Sequence, residues 1–225
     1  MCAGTAIDQH QVCIRDPKTK QLLEAQHVGE IWFCGPSVSP GYWNNTQATE
    51  QHFVTLEGTR YLRTGDLGFL YQEQLFFVGR IKTQISHRGR NIAASDIEWV
   101  IQQTHPIIAP SGVCAVSMNS KEATQEGLAL FIECKPNQPQ CLNTLLQSLH
   151  QSISLHFSMR ITLLVLMPKS TLHRTTSGKL RHKQNLTAFH HNQLPYLLSQ
   201  YRGDTPKYKA DKKELTRYFT IKDTP

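Results

Sequence analysis

The chain has 225 residues, 39% of them hydrophobic and 18% charged, with 24 basic against 17 acidic side chains and a formal net charge of +7. That length makes one large or two small domains, and that balance excludes a wholly disordered chain. No run of about 18 apolar residues occurs and the start, Met-Cys-Ala-Gly-Thr-Ala, has neither a basic nor an apolar leader region, which predicts a cytoplasmic chain with no membrane partner.

Residues 11–15 and 29–35 alternate apolar and polar side chains around the turn Asp16-Pro17-Lys18-Thr19, and predict two strands of a small sheet or barrel. Ser39-Pro40-Gly41 breaks that pattern. A short helix is then expected at 46–50, with Thr46 as its N-cap. Strands follow at 61–63 and 68–71, and the polar turn Gln72-Glu73-Gln74 leads into another at 75–78, so the last pair reads as a hairpin. After Gly79-Arg80 the texture changes. Residues 95–103 form an amphipathic helix opening with Ser95 as N-cap and Glu98 at N3, followed by strands at 112–117 and 128–133, a helix over 140–157 and an apolar strand at 161–166. The order helix, strand, strand, helix, strand suits a compact α+β domain. Beyond 190 the chain turns polar and basic, with Lys207, Lys209, Lys212 and Lys213 close together, and reads as a loosely held tail or linker.

Charge placement and cysteine spacing narrow the chemistry further. Residues 134–203 contain no Asp or Glu but hold Lys135, Arg160, Lys169, Arg174, Lys179, Arg181, Lys183 and Arg202, a patch suited to a phosphorylated ligand or to plain solvation. Interleaved aromatics and a recognition helix are missing from it, so nucleic acid is not expected as a partner. The six cysteines never form a C-x-x-C pair and the histidines form no metal-binding spacing, so buried free thiols and no metal site are expected.

Three segments could carry chemistry. In Leu62-Arg63-Thr64-Gly65-Asp66-Leu67-Gly68 a strand runs into a glycine turn that presents a carboxylate; such an Asp can accept hydrogen bonds from the vicinal hydroxyls of a ribose, or simply close a turn. Gly79-Arg80-Ile81-Lys82-Thr83, followed by Arg88-Gly89-Arg90-Asn91, can form a hinge whose few torsions absorb a large rotation, or a surface hairpin. In Arg174-Thr175-Thr176-Ser177-Gly178-Lys179-Leu180-Arg181, small hydroxyl residues and a glycine make a slender loop able to deliver one ammonium group into a cleft, where it would neutralise a carboxylate and an α-phosphate as they approach. The bland alternative is a solvated lysine. It is not a Walker loop, because His173 stands where the first glycine is required.

Taken in order, Gly29-Glu30-Ile31-Trp32, Gly41-Tyr42-Trp43-Asn44, Arg63-Thr64-Gly65-Asp66-Leu67, Gly79-Arg80-x-Lys82, Arg88-Gly89-Arg90-Asn91 with Asp96-Ile97-Glu98, and Thr175-Thr176-Ser177-Gly178-Lys179-Leu180 resemble the successive late motifs of the adenylate-forming (AMP-binding) superfamily, most closely its fatty acyl-AMP ligases. The resemblance runs from about residue 3 to 185 and implies an α+β architecture: a small β-barrel-like subdomain over 1–79 that ends the large AMP-binding domain, a hinge at 80–84, a mobile α+β lid domain over 85–190, and a tail over 191–225. It implies that Asp66, with Arg80 and Thr64, binds the ribose of ATP and of acyl-AMP, that Lys179 is the catalytic lysine of adenylation, that Arg80, Lys82 and Thr83 belong to the hinge, and that Gly89 lies on the loop facing a pantetheine thiol. Thr83 departs from the family, which usually has an Asp in the hinge. So do Ile92-Ala93-Ala94, where fatty acyl-AMP ligases often carry His-Tyr-Pro.

The function so implied is ATP-dependent activation of a fatty acid as acyl-AMP, with transfer to an acyl carrier protein or polyketide synthase. ATP with Mg2+ is the substrate, and the Mg2+ ligands and the phosphate loop are expected in an amino-terminal AMP-binding domain outside this sequence. An acyl-CoA synthetase or a peptide-synthetase adenylation domain would share the same motifs, and a non-catalytic remnant that binds nucleotide or a carrier protein is the reading from a different class.

Overall fold

The computed structural model describes residues 2–118, 127–136, 140–202 and 204–220. Their contacts divide the chain into two units, Met1–Lys82 and Thr83–Pro225.

The first unit is a six-stranded antiparallel sheet. Its strands are β1 (Cys2–Gly4), β2 (Gln11–Arg15), β3 (Gly29–Cys34), β4 (Phe53–Leu56), β5 (Thr59–Tyr71) and β6 (Gln74–Arg80), in the order β1-β6-β5-β3-β2 with β4 paired to β5. The two strands expected at 61–63 and 68–71 are one long strand, β5, in which the register slips between Leu67 and Gly68. Such a bulge lets the glycine-containing middle of a strand bend without ending its ladder. Close approach explains Gly68 itself: an added Cβ would lie 2.6 Å from the Phe76 carbonyl oxygen. The hairpin to β6 turns on Gln72 and Glu73, both with positive φ, the mirror-image turn that matches strand twist. The short helix α1 (Thr46–His52) begins one residue earlier than expected. Asn45, not Thr46, is its cap, with its side-chain oxygen accepting from the Ala48 amide at 3.0 Å.

The second unit opens with a single 3-10 turn, Ile81–Thr83, whose first two residues belong to the preceding unit, and a hairpin of β7 (Gln84–His87) and β8 (Arg90–Ala93). Arg88 and Gly89 form its tip, both at positive φ. Then come α2 (Ala94–Thr104), β9 (Ile108–Met118), β10 (Gly127–Cys134), β11 (Gln140–Cys141), α3 (Leu142–Phe157), β12 (Ile161–Pro168), α4 (His182–His190), β13 (Leu198–Tyr201), β14 (Lys207–Tyr208), α5 (Lys212–Leu215) and β15 (Phe219–Thr220). The main sheet runs β14-β13-β12-β10-β9, with β10 and β12 parallel and the other neighbours antiparallel. All eight residues of β10 are buried, because helices cover both of its faces. On one face Leu128, Leu130 and Ile132 meet Ile97 and Ile101 of α2 and Leu145 and Leu149 of α3. On the other, Ala129 and Phe131 meet Ala188 and Phe189 of α4. A strand walled on both sides reads as a continuous apolar run and not as an alternating one.

Two further expectations need correcting. Ser95 does not cap α2: Ala93 is the cap residue and makes no side-chain cap bond. Glu98 is drawn instead into long-range contacts. The tail expected beyond 190 is held, because Leu194, Leu197 and Leu198 are buried and β13 lengthens the main sheet along β12. Apolar Leu-Pro-Tyr-Leu-Leu outweighs its polar flanks there. Residues 221–225 of that tail lie outside the described residues. Of the thiols, Cys34, Cys114 and Cys134 are buried, Cys13 and Cys141 partly so, and Cys2 is exposed. Burial, reinforced by the neighbouring Glu133, pushes the Cys134 thiol up to about 12.

His105 gives this unit a pH response. It is 3% exposed, its Nε2 lies 3.0 Å from Ser148 Oγ and its Nδ1 3.2 Å from the Ile101 carbonyl oxygen. Burial lowers its pKa below the ordinary 6.5. The unfolded chain therefore takes up the proton first, so the full stability is present above 6.5 and is lost as pH falls through the depressed folded value. Urea midpoints recorded from neutral pH downward should decline, and His105→Gln should flatten that decline.

Candidate functional site

In the first unit the structure gathers Arg63, Thr64 and Asp66 on one stretch of β5. Gly65 sits at φ +71°, a conformation that glycine adopts without strain, and nothing lies within 4 Å of where its Cβ would be. The Thr64 hydroxyl donates to the Ile31 carbonyl at 2.8 Å and accepts from the Asp66 amide at 3.0 Å. Thr64 thus shapes the turn that presents Asp66. Asp66 stands opposite Arg80 in the β5/β6 register, and its Oδ1 lies 2.8 Å from Arg80 Nε. The two residues expected to meet one ribose are side by side.

Glu30 is the residue that sequence reasoning passed over. It is 2% exposed, and its Oε2 accepts from Arg63 Nε at 3.0 Å, Arg63 Nη2 at 2.8 Å and Trp32 Nε1 at 3.0 Å. The Arg63 guanidinium also lies over the Trp32 ring, 5.4 Å from its centroid. A buried carboxylate this well satisfied is a rigid strut beneath the Asp66 turn. Its signal was the Glu30-Ile31-Trp32 motif, which carried a resemblance but no stated role. A cleft of about 440 Å³ beside the turn is lined by Glu30, His52, Arg63, Gly65, Ile81 and Lys82 among others. Glu30 is engaged with Arg63 and Trp32, and one oxygen of the Asp66 carboxylate lies against Arg80.

In the second unit Lys179 is exposed near the tip of a hydrogen-bonded hairpin, not on a loose loop. Arg174 and Leu180 form a bridge. The Thr175 amide donates to the Lys179 carbonyl at 2.8 Å, the Gly178 amide to the Thr175 carbonyl at 2.9 Å, and the Lys179 amide to Thr175 Oγ1 at 3.1 Å. The hydroxyls that looked merely slender in the sequence close this turn. Gly178, at φ +81°, supplies its left-handed corner.

The hairpin leads into α4, whose start is tied to α2 and β9. His182 Nε2 is 2.8 Å from Glu98 Oε1, and that same oxygen accepts from the Ala115 amide at 3.0 Å. Cys114 completes a set of three donor atoms within 4.8 Å of one another, an Sγ, an imidazole nitrogen and a carboxylate oxygen that could together hold a cation. Sequence spacing could not reveal this set, since its members come from α2, β9 and α4. Burial above all, with the Glu98 charge second, pushes the Cys114 thiol far up. Asn185 Nδ2 reaches Cys114 Sγ at 3.8 Å, so within the protein each of the three side chains already has a hydrogen-bond partner. Gly89 lies at the tip of the β7–β8 hairpin in this same unit, while Lys82 closes the first unit and Thr83 opens the second.

Known proteins share this architecture. No family model matches the chain. A medium-chain-fatty-acid–[acyl-carrier-protein] ligase of Moorena producens (strain JHB) is 31% identical over 183 residues, which is 79% of this chain and 31% of that protein. A protein of Mycobacterium tuberculosis (strain CDC 1551 / Oshkosh) named as a fatty-acid–CoA ligase is 33% identical over 205 residues, covering 85% of this chain and 34% of that one. Among solved structures, one from a study of fatty acyl-adenylate ligases of E. coli and L. pneumophila superposes with a TM-score of 0.69 at 29% identity over 84% of this chain and 33% of that chain. The chain belongs to the adenylate-forming superfamily. Its similarity to fatty-acid ligases of that superfamily covers both units, and it spans about a third of the length of the curated relatives it matches. No helix among the described residues is long and apolar enough to cross a membrane.

Proposed function

We propose that this chain supplies a ribose-gripping sheet and a mobile lysine-bearing lid to an ATP-dependent ligase that activates a fatty acid as acyl-AMP and passes the acyl group to the phosphopantetheine thiol of an acyl carrier protein. In the first step a carboxylate oxygen attacks the α-phosphorus of ATP and the bond to pyrophosphate breaks. In the second the thiol sulfur, having lost its proton, attacks the acyl carbonyl, and AMP leaves. Asp66 accepts from the ribose hydroxyls in both steps and Arg80 contacts the same sugar. Lys179 draws the carboxylate and the α-phosphate together in the first step. A rotation about residues 80–84 then withdraws Lys179 and brings the Gly89 hairpin toward the thiol. Mg2+ accompanies ATP as substrate, and no role of this chain runs through it.

The observation that carries this reading is the fixed presentation of Lys179 on a hairpin of one unit together with the Asp66–Arg80 pair of the other. Calorimetric titration of the chain with a non-hydrolysable acyl-AMP analogue tests the ribose wall. Binding heat should appear, and Asp66→Ala should weaken it about 10- to 100-fold, the worth of hydrogen bonds to a charged acceptor. Equal affinity in the variant would remove Asp66 from nucleotide binding. Pyrophosphate exchange in the chain joined to an amino-terminal nucleotide-binding domain separates a ligase from a non-catalytic remnant, since a remnant would give the binding heat but support no exchange into ATP.

A second acceptor is favoured by one observation, the relatives named as fatty-acid–CoA ligases. Supplying preformed acyl-AMP with either holo carrier protein or coenzyme A, and measuring thioester, decides between them. We expect the carrier protein to be preferred.

A further inference from the structure

Two buried polar side chains grip the base of the Lys179 hairpin from opposite sides. Glu133, at the end of β10, is 3% exposed. Its Oε1 accepts from the Thr171 and Leu172 amides, both at 2.7 Å, and its Oε2 lies 3.6 Å from Arg174 Nη2. Asn185, on α4, is fully buried. Its Oδ1 accepts from the His173 amide at 2.7 Å, and its Nδ2 donates to the His173 and Arg181 carbonyls, each at 3.2 Å. Asn185 therefore holds the entering and the leaving strand of the hairpin at once. Arg174 Nη2 adds a further tie, donating to the Ser111 carbonyl of β9 at 2.7 Å.

Burying a carboxylate and a carboxamide in a packed unit is costly unless every polar atom finds a partner, and partners for the fold alone could be built from apolar residues at no such cost. Here the hydrogen bonds made by both side chains fall almost entirely on the backbone of residues 171–181. Both are planar groups whose two ends address two backbone points, which fixes an orientation as well as a distance. The lysine that must reach a reacting carboxylate and phosphate sits at the free end of that hairpin, and small misplacements of a charged group in such a site cost rate steeply.

We infer that Glu133 and Asn185 are positioning residues for Lys179, setting the angle at which the hairpin leaves the lid and so the reach of the ammonium group during adenylation. This rests on the adenylation role proposed for Lys179. Neither residue touches substrate. Both act on the first half-reaction through the hairpin, and the transfer step, during which Lys179 is withdrawn, does not need them.

Hydrogen exchange and kinetics test this together. In the chain itself, Asn185→Ala should speed exchange of the Lys179 and Arg181 amides about tenfold or more while amides of β10 and β12 keep their protection, as expected for local opening of one element. Unchanged hairpin amides, or equal loosening of the whole unit, would overturn the inference. With the chain joined to an amino-terminal nucleotide-binding domain of a fatty acyl-AMP ligase, Asn185→Ala and Glu133→Ala should lower kcat of ATP–pyrophosphate exchange about 10- to 100-fold with KM little changed, and leave thioester formation from preformed acyl-AMP within about twofold. Glu133→Gln, which keeps a carbonyl oxygen for the amides and loses the charge facing Arg174, should recover part of the rate. A parallel fall in both half-reactions would overturn the inference as a plain loss of fold. Lys179→Ala is the separate control: exchange that survives it defeats the adenylation reading, whereas the amide measurement on Asn185→Ala judges the grip on the hairpin independently of any activity.

Discussion

Replacing Lys179 by alanine, in the chain joined to an amino-terminal nucleotide-binding domain, is expected to lower fatty-acid-dependent ATP–pyrophosphate exchange about 10²- to 10³-fold, the effect typical of removing one preorganised charge-stabilising donor. The physical problem in adenylation is the approach of two anions, a carboxylate and the α-phosphate. One ammonium group placed between them contributes most where water is excluded, and its contribution grows as the oxygens close on each other. The loss should therefore appear in kcat far more than in KM. Thioester formation from preformed acyl-AMP should be nearly unaffected, because the phosphate has already been attacked. Lys179→Arg keeps the charge but substitutes a broad planar fork for a compact point charge, and should restore only part of the rate. Exchange at wild-type rate in the alanine variant would remove Lys179 from the mechanism.

The same residue shows how far a sequence carries such an argument. That Lys179 follows a run of hydroxyl residues and a glycine was legible, as was its likeness to a family motif, because both are local. That the run folds into a hairpin with Thr175 Oγ1 receiving the Lys179 amide was not, since hydroxyls suit a mobile loop and a closed turn equally well. Glu133 and Asn185 escaped notice for another reason. Each is a single polar residue inside or beside an apolar pattern, and its partners lie 12 or 38 residues away, at His173 and at Thr171. Glu98 misled in the opposite sense. Its place three residues after Ser95 satisfies a local capping rule, but bonds to Ala115 and His182 claim it instead. The main β-strands and α2 and α3 were readable from periodicity. Helix α4 and strand β13 were not, because α4 rests on the sheet by a narrow stripe, and a short strand is fixed by its neighbour β12 more than by its own composition.

Truncating Phe131 to alanine should destabilise the second unit by about 3–5 kcal/mol, the range for deleting a fully buried aromatic ring. Phe131 has no exposed surface, and its ring centroid lies 5.7 Å from that of Phe189 at 70°, an edge-to-face pairing that adds to simple burial. The sheet around it cannot collapse into the space, because β10 is bonded to β9 on one side and β12 on the other. The adjustment falls on α4, which contributes Phe189 to the cavity wall and Asn185 to the Lys179 hairpin. Stability and catalysis are thereby linked through one helix: the variant should lose adenylation beyond what its unfolded fraction explains, while acyl transfer follows the folded fraction alone. Urea denaturation followed by signals from this unit measures the first effect and the two half-reactions measure the second. A cost below about 1 kcal/mol, the size of a conservative core swap, would show that α4 does not pack on this face of the sheet, and the route from core to lysine would fail with it.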